Sequence, residues 1–141
     1  AGLRIGYAAG PSAVINAMRA AGGPFPCSAV SLAAAEAALD LPDDVISARI
    51  DQVRRERASM TSLLRSSGVE VLPSEANFVL ARLEHAGRVW ERLAERGVRV
   101  KRFADPVLDR FLRIGCPGDS RAYKQLIAAL NECLTEQGAR P

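Results

Sequence analysis

Apolar and polar positions change period several times along this chain. Leu3, Ile5 and Tyr7 alternate with Arg4 and Gly6, which predicts a short strand with one apolar face. Gly10-Pro11-Ser12 ends it and predicts a helix start with Ser12 as cap, and Val14, Ile15, Met18 and Ala21 fall on one stripe of that helix. Gly22-Gly23-Pro24-Phe25-Pro26 reads as a rigid, irregular connector. Ser28 to about Leu39 is Ala-rich and helical, with small side chains that allow close packing. Leu41-Pro42-Asp43-Asp44 then opens the longest helix. Pro42 suits its first turn, and the two aspartates favour the positive end of the helix dipole. Val45, Ile46, Ile50, Val53, Met60, Leu63 and Leu64 mark one face, and Gly68 stops the helix. At about 25 residues it is roughly 38 Å long. Such a helix either bridges two lobes or serves as a plain core helix.

After Gly68 the texture changes to short strands between helices. Val69, Val71 and Leu72 predict a strand ending at Pro73, and Asn77 to Arg82 a second, mostly buried one. Ala86 to Arg96 predicts a helix with Val89, Trp90 and Leu93 inward and Gly97 at its end. Val98-Arg99-Val100-Lys101 alternates as a strand with its basic side chains outward or towards a site. Asp105-Pro106 begins a turn, and the strand that carries Arg113 follows. Ser120 to about Gln137 closes the chain as a helix, with Tyr123, Leu126, Ile127, Leu130 and Leu134 in register. The order β-β-α-β-β-α from Val69 describes an α+β lobe.

The totals narrow the function classes. The chain has 141 residues, 48% hydrophobic and 25% charged, the balance of a soluble globular protein of one domain or one and a half small ones. Aromatic residues are 5%, so the core rests on Leu, Val, Ile and Ala. The net charge of +3 argues for neither nucleic acid nor an anionic membrane. Arg54, Arg55 and Arg57 are interrupted by Glu56, which reads as a solvated helix face. No apolar run approaches the ~20 residues of a membrane-spanning helix. Cys27, Cys116 and Cys133 are odd in number and widely spaced, which fits thiols of a cytoplasmic protein. His85 is the one histidine, so neither a zinc site nor a His-based triad is expected. The chain opens in a strand-like run without an initiator Met, as expected of a fragment of a longer protein.

The candidate chemistry lies in Phe111-Leu112-Arg113-Ile114-Gly115-Cys116-Pro117-Gly118-Asp119. Strand alternation puts Phe111, Arg113 and Gly115 on one face and Leu112, Ile114 and Cys116 on the other. A guanidinium on a partly buried strand face needs an anion, and Arg holds a carboxylate or phosphate with two parallel hydrogen bonds. The alternative is an arginine that snorkels to solvent or pairs with Asp109.

Gly2-Leu3-Arg4-Ile5-Gly6-Tyr7 resembles the segment just after the cofactor lysine of fold-type I pyridoxal-phosphate enzymes, where Ser-Lys, a short spacer and Gly-x-Arg follow one another. Phe111-Leu112-Arg113-Ile114-Gly115 is similar to that family's strand carrying the substrate-anion arginine. Between them, Pro24-Phe25-Pro26-Cys27-Ser28, Glu75-Ala76-Asn77-Phe78-Val79-Leu80 and Gly97-Val98-Arg99-Val100-Lys101 fall in the order of the histidinol-phosphate aminotransferase subfamily. The resemblance covers essentially the whole chain.

It implies an α/β fold: the C-terminal part of a fold-type I enzyme, ending in an α+β lobe. Residues 1–41 would be the end of the large cofactor domain, 42–68 the interdomain helix, 69–137 the small domain and 138–141 a frayed tail. The implied cofactor is pyridoxal 5'-phosphate, and the implied reaction is amino-group transfer between an amino acid or amine and a 2-oxo acid. Arg4 matches the arginine that holds the cofactor phosphate. Arg113 matches the one that receives the substrate's carboxylate or phosphate. Lys101 stands where phosphate-substrate members show a second arginine, with Arg102 beside it; otherwise it is an exposed edge-strand lysine. Asn77 is expected to be structural. Neither Lys101 nor Lys124 has the Ser-Lys context, so the Schiff-base lysine is expected upstream of residue 1 and the chain alone is expected to be inactive. Homodimerisation and a cytoplasmic location are also implied, with no role for nucleic acid or membrane. The alternatives are decarboxylation of a phosphorylated amino acid on the same scaffold, and a non-catalytic anion-binding α/β module.

Overall fold

Four antiparallel strands organise the second half of the chain. They are β1 (Glu70–Val71), β2 (Phe78–Arg82), β3 (Lys101–Arg102) and β4 (Phe111–Gly115), and they lie in the order β1-β2-β4-β3. The computed structural model describes residues 2–23 and 27–138. The Pro24-Phe25-Pro26 connector and the last three positions of the expected tail lie outside the described residues. The helices are α1 (Ser12–Ala21), α2 (Ala29–Leu39), α3 (Asp43–Ser66), α4 (Ala86–Glu95) and α5 (Ser120–Gly138), with a 3₁₀ turn at Pro106–Leu108. The chain divides into two units, Ala1–Ile46 and Ser47–Pro141.

In the first unit the expected strand over Leu3 to Tyr7 is not formed. Arg4 has φ +55°, which breaks an extended run, and the described residues of this unit contain no neighbouring strand to complete a ladder. Leu3, Ile5 and Tyr7 are all exposed. Ser12 is the first residue of α1 rather than its cap. Pro11 precedes it, and the Pro11 carbonyl accepts from Val14 N and Ile15 N. Ser28 does cap α2, its hydroxyl accepting from Ser31 N at 3.4 Å. None of the described residues in this unit is buried.

The second unit is an α+β lobe with its core on one side of the sheet. Val79 and Ala81 of β2 and Leu112 and Ile114 of β4 point into that core, as period-two alternation requires. Met60 and Leu64 of α3, Val89 and Leu93 of α4, and Leu126, Leu130 and Cys133 of α5 pack onto them. α3 stops where Gly68 takes φ +77°, so that Val69 N reaches back to Leu64 O at 2.9 Å. The same device ends α4, with Gly97 at φ +74° and Val98 N bonded to Leu93 O at 2.8 Å.

Three expectations change here. Trp90 is not inward: it is 37% exposed, and its indole N–H donates to Val100 O at 3.0 Å. The expected strand over Val98 to Lys101 is reduced to Lys101–Arg102, because the Val100 carbonyl is taken by Trp90 rather than by a ladder. Glu56 and Arg57 are not a solvated face. Glu56 is 2% exposed, since it lies in line with Val53, Met60 and Leu64 on the buried stripe of α3.

Candidate functional site

The face of the sheet away from the helices carries the candidate chemistry. Phe111, Arg113 and Gly115 project from β4 on this side, and Leu112, Ile114 and Cys116 are buried on the other, as the alternation predicts. Strand register adds the neighbours. Phe78 stands opposite Gly115, Leu80 opposite Arg113 and Arg82 opposite Phe111. On the other flank Lys101 stands directly opposite Arg113. Two cations therefore share one cross-strand position, where side chains are about 4.5–5.5 Å apart at Cβ.

Arg113 is held by an aromatic ring. Its guanidinium carbon lies 4.1 Å from the centroid of Phe78, the diagonal neighbour on β2. Stacking uses the flat face of the guanidinium and leaves its edge N–H groups for an anion. Asp109 makes no ion pair with Arg113 among the described residues, so that sequence alternative is not the arrangement seen. A Cβ placed on Gly115 would meet nothing within 4 Å, so the space beside Arg113 is open.

Lys101 and Arg102 separate to opposite faces. Arg102 pairs with Leu112, and its guanidinium lies against Gly87 in the first turn of α4, where a Cβ would come within 3.4 Å of it. Of the two adjacent cations, Lys101 is the one on Arg113's face. Asn77 contributes backbone, its carbonyl accepting from Cys116 N at 2.8 Å. Arg4 belongs to the first unit. Its side chain is exposed and makes no hydrogen bond or ion pair among the described residues.

The loop leaving β4 is more tightly held than the pattern of the chain suggests. Glu56 accepts from Gly118 N at 2.9 Å and from Gln52 Nε2 at 2.8 Å, and its backbone carbonyl accepts from Tyr123 Oη at 3.0 Å. Arg57 donates to Ala76 O at 2.8 Å and to Glu75 at 2.7 Å. Burial, then the negative charge of Glu56, pushes the Cys116 thiol above its ordinary range, with Arg57 partly opposing. Burial also raises the Tyr123 phenol, partly offset by a hydrogen bond with Ser59. Glu56, Arg57 and the Phe78 stack were missed from sequence. The signal for Glu56 was present in its spacing from Val53 and Met60, three and four residues away. No group of three His, Cys, Asp or Glu side chains among the described residues is placed to hold a metal ion, and no described helix is long and apolar enough to cross a membrane.

Comparison with known proteins puts this geometry in context. The family model described as aminotransferase class I and II matches residues 1–130. Histidinol-phosphate aminotransferase 2 of Rhizobium meliloti (strain 1021) is 40% identical over 139 residues, covering 95% of this chain and 39% of that protein. Histidinol-phosphate aminotransferase of Streptomyces avermitilis is 35% identical over 142 residues, covering 99% of this chain and 37% of that protein. Among solved structures, a putative aminotransferase from Burkholderia pseudomallei K96243 superposes with a TM-score of 0.64 at 34% identity, over 88% of this chain and 38% of that one. Histidinol-phosphate aminotransferase from Sinorhizobium meliloti, solved in complex with pyridoxal-5'-phosphate, gives a TM-score of 0.67 at 25% identity, over 89% of this chain and 35% of that one. The chain spans about two fifths of the length of the curated relatives it matches.

Proposed function

Because the chain belongs to the class I and II aminotransferase family, we propose that the protein carrying it transfers an amino group between an amino acid or amine and a 2-oxo acid, using pyridoxal 5'-phosphate. The substrate pair follows the relatives' names: histidinol phosphate and its 2-oxo acid partner. The observation that carries this reading is the pairing of Arg113 with Lys101 on an open sheet face beside the Phe78 ring.

In this reading Arg113 receives the carboxylate or phosphate of the substrate through its two edge N–H pairs. Phe78 limits the swing of that guanidinium, so less orientation entropy is lost when the anion docks. Lys101 adds a second positive charge, suited to a dianion as a point charge rather than a fork. Arg4 would hold the cofactor phosphate through its guanidinium edge. Bound pyridoxal phosphate supplies the electron sink that makes amino transfer possible. Residues 1–41 complete the cofactor domain, α3 spans to the small domain over 69–137, and the protein works as a cytoplasmic homodimer. The two lysines, Lys101 and Lys124, stand outside the Ser-Lys context, so these 141 residues alone do not carry the cofactor lysine.

The holoenzyme supplied with histidinol phosphate and 2-oxoglutarate should release glutamate, and Arg113→Ala should abolish saturation at ordinary substrate levels. No transfer to any 2-oxo acid would overturn the reading. The 141-residue chain mixed with pyridoxal phosphate and an amino donor should show no turnover in the cofactor's absorbance; turnover would contradict the assignment of the lysine elsewhere.

A further inference from the structure

Two consecutive residues of α3 clamp the same end of the central strand pair. Ala76 is two residues before Phe78, where β2 begins, and its carbonyl is taken by Arg57 at 2.8 Å. Gly118 is three residues after Gly115, where β4 ends, and its amide is taken by Glu56 at 2.9 Å. Phe78 and Gly115 are themselves cross-strand partners. Arg57 therefore fixes the way into the strand that carries the Phe78 ring, and Glu56 fixes the way out of the strand that carries Arg113. Between the two anchors Cys116 N bonds Asn77 O at 2.8 Å, so the end of the ladder is closed as well.

Glu56 is an unusual choice for a core position. It is 2% exposed among Met60, Leu64 and Cys116, and a buried carboxylate is retained only where its oxygens are bonded. Both oxygens are: one accepts from Gln52, the other from Gly118. The Tyr123 hydroxyl adds a third link from α5 to the Glu56 carbonyl. Gly118 sits at φ +66°, a conformation that aims its N–H inward and that other residues rarely adopt. An apolar residue at position 56 would leave the Gly118 amide without this acceptor, so the carboxylate serves the loop that leaves β4 as well as the core.

We propose that Glu56 is a positioning residue for Arg113: by holding the Gly118 amide it sets the exit of β4 and hence the placement of the guanidinium against the substrate's anion. The proposal rests on Arg113 receiving that anion. It ties the anion site to the long helix through two hydrogen bonds in addition to the packing of Met60 and Leu64 under the sheet.

The test compares Glu56→Ala, Glu56→Gln and Arg113→Ala in the holoenzyme, with a 2-oxo acid acceptor and its uncharged ester. Glu56→Ala should raise KM for the acid about tenfold while KM for the ester and kcat stay within about twofold. Glu56→Gln should recover most of the loss, because an amide oxygen still accepts from Gly118 N. Should Glu56→Ala fail to fold, Glu56→Asp retracts the oxygen by one methylene and must raise the acid KM in the same selective way. Equal impairment with acid and ester, or a lowered Tm with an unchanged acid KM, would overturn the positioning role. If Arg113→Ala leaves the acid KM unmoved, the functional reading itself falls; if Arg113→Ala raises it and no Glu56 variant does, only the positioning role falls.

Discussion

Lys101 and Arg113 face each other directly across β3 and β4, two cations in one cross-strand pair. Like charges in that position destabilise a sheet, and a sheet has no structural reason to keep them. The Phe78 ring supports Arg113 from the diagonal position, which offsets part of the repulsion without neutralising it. An anion bound between the two would offset that repulsion.

Replacing Lys101 by Met keeps the alkyl stem and removes the charge. In the absence of phosphate or sulfate the K101M chain should be more stable than the unmodified one, by about 0.2–1 kcal/mol. Added phosphate should raise the Tm of the unmodified chain more than that of K101M. Thermal melts with and without phosphate check both statements, and an equal phosphate response in the two proteins would contradict the shared-anion arrangement.

Arg113 and Arg4 should separate two kinds of loss. In the holoenzyme R113A should raise KM for the acidic substrate by about a hundredfold, as expected for losing two charge-assisted hydrogen bonds, with the cofactor retained. R4A should instead speed loss of pyridoxal phosphate, with a smaller effect on KM once cofactor is in excess. Cofactor absorbance after gel filtration and steady-state kinetics measure the two effects, and identical profiles for the two variants would undo both assignments.

Gly115 offers a way to block the site without disturbing the fold. A Cβ there meets nothing within 4 Å, so G115A should fold with an unchanged Tm. In G115D the added carboxylate stands two residues from Arg113 on the same face and competes for its guanidinium. Acid KM should rise at least about tenfold in G115D while the melting curve stays close to that of G115A. A G115D protein with normal KM would show that the open face is not where the anion docks.

Cys116 and Tyr123 predict an alkaline limit. Both are held above their ordinary values, chiefly by burial, so the folded state favours the protonated thiol and phenol. That contribution is complete below the unfolded values, 9.0 for the thiol and 10.0 for the phenol, and is lost as pH rises through the folded ones. Stability should therefore fall from about pH 9 upward, and C116A with Y123F should flatten that fall. At neutral pH a maleimide should label exposed Cys27 well before buried Cys116. Urea midpoints against pH and mass spectrometry of the labelled protein check the two.

How much of this was legible before the structure depends on the kind of signal. Periodicity located α3, β2, β4 and α5 to within a residue or two, because each buries apolar residues at its own helical or strand period. It placed Arg113 on the open face correctly, because Leu112 and Ile114 fix the other face of the same strand. It failed at Leu3–Tyr7, where alternation is present but no neighbouring strand supports a ladder, and at Val98–Val100, where an indole N–H takes the carbonyl a ladder would have used. It also fails at Glu56, where charge points to solvent although spacing puts the residue in the apolar stripe. The Phe78 stack was invisible for a different reason: it depends on the register between β2 and β4, which no local pattern contains.

The strand order has a consequence for how this lobe is assembled. Among the described residues β4 is the last strand to appear in the chain, yet it lies between β2 and β3 and is the sole neighbour of β3. A chain synthesised only as far as Arg110 has β1 and β2 as a hairpin-like ladder and β3 with nothing to pair to. Closure of the lobe must wait for Phe111–Gly115 and for α5 behind it, so folding is bound to late, long-range contacts rather than growing outward from the start of the lobe. A deletion that removes this one segment leaves β3 without a partner and the sheet reduced to the β1–β2 ladder.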